Sequence, residues 1–174
     1  SLFVSANLYS GHKPNGVPPL SDLDFCKLES ALVQRVFGPS GKRIDYKPYP
    51  AMRQLDQDPI IEKVNAWKNM SIVGAHQDLR YMLKWYRMFI TTKATSTVSW
   101  IVATRKPLIF IDHKCHARLS DEARVAFSRG FFLFDQSDPD FELNLKFFLQ
   151  RPFGEILEEW NSKSASRLQT IERF

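Results

Sequence analysis

Two spacings of apolar residues alternate along this chain. Short continuous runs appear at Leu2–Ala6, Arg43–Lys47, Ser71–Gly74, Met88–Thr91, Leu108–Asp112 and Phe131–Asp135. Each is short enough for a strand and is bounded by turn residues or by a helical pattern. Between them, apolar residues recur every three or four positions. Leu23, Leu28, Leu32 and Val36 make the first such stripe, behind a candidate capping Ser21. Pro59 opens the next helix, with Ile60, Val64 and Trp67 on one face. Asp78 caps a stripe of Leu79, Met82, Leu83 and Tyr86. Two more helices are predicted over Thr95–Ala103 and Ser120–Arg129, and the chain from Pro139 onward is helical with a break at Pro152.

The four middle runs lack the in-out alternation of a half-exposed sheet, so both of their faces are expected to be covered. Strands regularly separated by helices then predict a Rossmann-like, doubly wound α/β domain. Its sheet is mainly parallel and six-stranded, with helices on both faces. The sequence contains neither an internal repeat nor a low-complexity tract.

At 174 residues the chain fits one domain over 1–174, with C-terminal helices at 139–174. A domain of this size buries about 70% of its extended-chain surface and folds without disulfides or a structural metal. Its 44% hydrophobic content excludes wholesale disorder. No apolar run approaches the ~20 residues that span a bilayer. The formal charge of +5 suits an anionic ligand or membrane face. Arg80, Lys84 and Arg87 form the one dense basic patch, at the spacing of a single helical face. Basic and aromatic residues are not interleaved, which argues against a nucleic-acid partner. Cys26 and Cys115 make no disulfide framework and fit a reducing, cytoplasmic setting. Ser1 leads straight into the strand-like Leu2-Phe3-Val4, the pattern expected of a piece of something longer.

In such a sheet the ligand crevice lies beyond the carboxyl ends of the strands. Five loops are expected there: Asn7–Leu20, Pro48–Met52, Ala75–Asp78, Thr92–Thr97 and His113–Ala117. The stretch Thr91-Thr92-Lys93-Ala94-Thr95-Ser96-Thr97 follows a strand and opens a helix. The first turn of a helix offers free N–H groups and a partial positive charge, which suits a phosphate. Plain N-capping by Thr or Ser accounts for the same residues and, taken alone, is the stronger reading. Neither G-x-G-x-x-G nor the Walker G-x-x-x-x-G-K-[ST] is present, and Val17 follows the Gly11 and Gly16 pair. Asp112, His113, Cys115 and His116 sit together, but at no zinc spacing, so no metal is expected. There is no G-x-S-x-G elbow, and no catalytic residue is assigned.

Taken in order, these pieces resemble the C-terminal, donor-binding domain of GT-B glycosyltransferases. The nearest group builds bacterial surface polysaccharide and capsule. The resemblance runs from Leu2 to Phe134. It rests on Tyr46-Lys47-Pro48-Tyr49-Pro50, the strand-loop-Asp78-Leu79 unit, the Ser/Thr-rich turn at Met88–Thr97 and Arg105-Lys106-Pro107 before Leu108–Asp112. Four positions depart from the pattern. Tyr49 replaces a His, Arg105 a Gly and Met88 an acidic residue, and Thr and Ser fill the turn where many retaining members carry a carboxylate.

The resemblance implies a nucleotide-diphosphate sugar as ligand, with no cofactor and no metal. Thr95, Ser96 and Thr97 would hold its phosphates. Lys47 and Tyr49 would neutralise the leaving phosphate, and Gly74, His76 and Gln77 would approach the base. The general base and the other half of the crevice would come from the protein's own N-terminal domain, so the isolated domain would bind but not turn over. Two alternatives share the scaffold: a nucleotide-sugar 2-epimerase, for which His76 and His113 are the only hints, and a degenerate, non-catalytic binding module. Peripheral contact with an anionic inner membrane through Lys163, Arg167 and Arg173 is weaker than a docked or solvated helix, because Glu155, Glu158, Glu159 and Glu172 lie nearby.

Overall fold

The computed structural model describes residues 1–5, 22–48, 58–74, 76–113 and 118–173. Six strands form one fully parallel sheet: β1 (Leu2–Val4), β2 (Ile44–Lys47), β3 (Met70–Ile72), β4 (Phe89–Thr91), β5 (Leu108–Asp112) and β6 (Phe132–Asp135). Their order across the sheet is β3-β2-β1-β4-β5-β6, the Rossmann-like arrangement expected from the sequence. The chain winds outward from β1 in one direction and from β4 in the other. The winding direction reverses between β1 and β4, the topological switch point of the sheet.

Helices cover both faces. On one face α1 (Asp22–Ala31) continues as a π-helical segment, Leu32–Phe37, whose Leu32, Val33, Val36 and Phe37 are all buried. Phe37 meets Phe3 of β1 at 5.0 Å between ring centres. Helix α2 (Ile61–Asn65) and α6 (Phe141–Gln150) join this layer, and Phe148 of α6 packs on Phe132 at 4.7 Å. Trp67 lies so close to Gly38 that a Cβ there would sit 2.2 Å from the indole, so the turn after the π segment requires glycine. On the other face α4 (Ser96–Ala103) and α5 (Asp121–Gly130) cross over, with Phe127 edge-on to Phe110 at 5.3 Å. Helices α7 (Phe153–Ser162) and α8 (Ser164–Arg173) complete the chain, and α8 packs along α5.

The stripe predicted behind Asp78 is shorter than its spacing implied. Helix α3 spans Leu79–Met82 and tightens into a 3₁₀ turn, Leu83–Trp85, and Tyr86 is extended. Tyr86 instead donates to Asp45 of β2 at 3.0 Å. The basic patch is dispersed accordingly. Arg80 pairs with Asp78, Lys84 sits over Trp85, and Arg87 stacks on Phe153 at 3.9 Å. No helix of the described residues is long and apolar enough to cross a membrane.

Candidate functional site at the carboxyl edge of the sheet

Register places the site's first residues. Val4 of β1 pairs with Lys47 of β2 on one side and with Thr91 of β4 on the other. Lys47 and Thr91 thus stand in one row, about 10 Å apart across two strand spacings, at the ends of their strands. Both lie at the carboxyl edge of the sheet.

Thr91 is fully buried and Thr92 nearly so, and neither hydroxyl has a hydrogen-bond partner among the described residues. An unpaired buried hydroxyl costs about 1–3 kcal/mol and is uncommon in a folded protein. Here two follow one another at the carboxyl end of β4. Four residues on, Thr95 adopts an extended conformation and α4 begins at Ser96. The hydroxyl of Thr95 makes no capping hydrogen bond. By contrast Asp78 accepts from the Arg80 N–H at 2.8 Å, and Ser120 accepts from the Ala123 N–H at 3.2 Å. Plain capping therefore does not account for Thr95. The Val98 N–H bonds the Thr95 carbonyl at 2.9 Å, which leaves the Ser96 and Thr97 amides as the open ones of this turn among the described residues, and Thr95 and Ser96 are exposed.

The Lys47 ammonium is buried under the loop that follows β3. It donates to the Gly74 carbonyl at 2.9 Å and, at 3.4 Å, to that of Pro48. Burial holds its pKa below the ordinary lysine value, and the charge of Asp78 opposes that shift. Gly74 is set by backbone geometry: its φ is +59°, and a Cβ there would sit 2.3 Å from Sδ of Met82. Gly74 therefore acts on Lys47, holding its ammonium through the carbonyl. His76 and Gln77 are exposed in the same loop, and Tyr49 lies outside the described residues.

An apolar cleft of about 560 Å³ runs from the start of α4 down between α4, α5 and α8. Ala94 and Thr95 line one end, and Val98, Val102, Phe127 and Ile171 are among its walls. The first turn of α4, the Thr91 and Thr92 hydroxyls and the Lys47 ammonium thus all belong to the carboxyl edge, and the cleft adjoins the first of these through Ala94 and Thr95.

Two further polar clusters were not anticipated. Glu29 of α1 is fully buried; it accepts from Ser5 at 2.8 Å and from the Tyr46 hydroxyl at 3.1 Å, and that hydroxyl also lies 2.7 Å from Asp58. Burial raises the Tyr46 pKa, and the charges of Glu29 and Asp58 add to it. Burial likewise raises Asp58, against the Tyr46 hydroxyl and the Ile60 N–H. The second cluster closes the β5–β6 end. Arg118 and Arg124 bridge Asp112 and Asp135, with Asp135 held at 2.8 and 3.1 Å. Burial raises the pKa of Asp112, while hydrogen bonds from Ser137 and the two guanidiniums carry Asp135 below the usual carboxylate value in spite of its partial burial. This arrangement pins the start of α5 to the ends of β5 and β6.

No metal-capable group of His, Cys, Asp and Glu occurs among the described residues. His113 is buried beside Phe25, and Cys115 and His116 lie outside the description. No protein-family model matches this chain, and searches of curated proteins and of solved structures return no significant match.

Proposed function

We propose that this chain is the nucleotide-sugar-binding domain of a glycosyltransferase acting in surface-polysaccharide synthesis, with its diphosphate seated on the first turn of α4. The observation that carries the reading is the succession Thr91, Thr92 and Thr95: two buried hydroxyls without partners lead into an uncapped helix start beside the switch point of the sheet. Lys47, in the same row, supplies positive charge where a departing nucleotide diphosphate gathers negative charge. Fixed donors and a cation stabilise such a leaving group directly. The cleft under α4 gives an apolar recess beside the phosphate position. The general base and the acceptor site belong, on this reading, to a partnering domain.

Calorimetric titration with a panel of nucleoside diphosphates tests the proposal. Ser96 is the first residue of α4. Proline is tolerated at that position and removes one amide donor. Ser96→Pro should keep the fold and weaken the best diphosphate by about 10- to 100-fold, the worth of one hydrogen bond to a charged group. Binding unchanged in a folded Ser96→Pro variant, or no diphosphate bound by the parent chain, would reject the reading.

A further inference from the structure

The opposite edge of the sheet has a different character. Because all six strands are parallel, the peptides leading into them gather on one rim, remote from the crevice. Lys42 and Arg43 precede β2, Lys68 precedes β3, Arg87 precedes β4, Arg105 precedes β5 and Arg129 precedes β6, and all of them are exposed. None of these lead-in segments contains an acidic residue. With strands spaced about 4.8 Å apart, the rim extends about 24 Å.

Neighbouring elements do little to cancel this charge. Asp45 faces Arg43 at 3.5 Å but is buried, and it also accepts from Tyr86. Helix α7 passes beneath β4 and β5, with Phe153 under Arg87 and the Trp160 N–H bonded to the Arg105 carbonyl at 2.9 Å. Of its carboxylates, Glu155 and Glu159 are engaged by Arg151, which leaves Glu158 facing solvent. The bases of α8 are spent elsewhere. Arg167 stacks on Trp160 at 3.7 Å and donates to its carbonyl, and Arg173 pairs with Glu122.

Beside the rim stand two large exposed aromatics. Trp85 is 61% and Tyr81 70% exposed, four residues apart on the α3–3₁₀ stretch. The Lys106 ammonium donates to the carbonyls of Leu83 and Lys84, at 2.7 and 3.3 Å, and so ties this stretch to the lead-in of β5. Exposed Trp and Tyr flanked by Lys and Arg are the side chains that settle at a bilayer's headgroup level. A strand of nucleic acid would call for aromatics interleaved with the bases along the rim, and these two lie to one side of it.

We propose that the amino-terminal rim of the sheet docks on an anionic phospholipid surface, with Trp85 and Tyr81 entering the headgroup layer. This surface is independent of the diphosphate site and turns the crevice edge away from the bilayer. Each Lys or Arg near an anionic membrane contributes about five-fold in affinity.

The test is cosedimentation of the chain with phosphatidylcholine vesicles, with and without phosphatidylglycerol, over a salt series. Binding is expected only to the anionic vesicles and should fall as salt rises. Lys42→Gln with Lys68→Gln, two exposed side chains, should weaken it about 25-fold with the melting temperature unchanged. Brominated lipid should quench the tryptophan emission of the parent chain and of Trp100→Phe, but not of Trp85→Phe. Equal binding to neutral vesicles, indifference to the lysine changes, or quenching that survives Trp85→Phe would overturn the proposal. So would binding of single-stranded RNA at a salt concentration where the anionic vesicles are not bound.

Discussion

Replacing Thr91 by Val should stabilise the protein while weakening its ligand. Valine has nearly the shape of threonine and suits a central strand. The Thr91 hydroxyl is fully buried and has no partner among the described residues, so its removal recovers the cost of desolvating it, about 1–3 kcal/mol. For a chain of this length each kcal/mol moves the melting temperature by roughly 2–4 °C, which makes the expected rise readily measurable. Differential scanning calorimetry and urea titration report the stability, and calorimetric titration with a nucleoside diphosphate reports the ligand. A Thr91→Val protein that melts several degrees lower would show that the hydroxyl is satisfied within the fold, and the site argument would lose its main support. A stabilised variant that binds diphosphates undiminished would show that the hydroxyl faces no ligand.

Two further substitutions separate the positioning of Lys47 from its charge. Gly74→Ala forces a side chain into a left-handed conformation, at about 1–2 kcal/mol, and into Met82; adding Met82→Ala should recover the steric part and not the backbone part, as read by chemical denaturation. Lys47→Met should abolish diphosphate binding and raise stability at neutral pH. The lysine's folded pKa lies below its unfolded value, so the unfolded state binds the proton more tightly there, and wild-type stability climbs as pH rises through that window. The stability gap between Lys47→Met and wild type should therefore narrow toward the ordinary lysine range, and a gap constant with pH would contradict the buried-ammonium assignment.

The sheet was legible because parallel strands buried on both faces write themselves as short continuous runs. Leu108–Asp112 is the clearest case, buried at every position. The parallel, doubly wound arrangement followed from alternation with helices, and the capping role of Asp78 followed from residue type and spacing. What failed did so for local reasons. Leu83 and Tyr86 continue a helical stripe on paper, yet the chain tightens after Met82 and turns Tyr86 into an extended position, where its hydroxyl finds Asp45. Glu29 reads as part of a helix's polar side. Its burial depends on Ser5 and Tyr46, which lie 24 and 17 residues away and meet it only in the folded sheet. The candidate site divides the same way. Thr95, Ser96 and Thr97 could be picked from their place after a strand, whereas Lys47 came only from the resemblance. The unpaired state of Thr91 and Thr92 is a property of packing and has no signature in the chain. Gly74 reads in the sequence as the end of a strand run, and its hold on Lys47 depends on a positive φ that sequence does not display.

The most direct measurement is a ¹⁵N amide titration of the chain with a nucleoside diphosphate. The account predicts that the largest shifts fall on Ser96 and Thr97, with a second set at Thr91, Thr92 and Gly74. Shifts confined to other parts of the molecule, or none at saturating diphosphate, would contradict it.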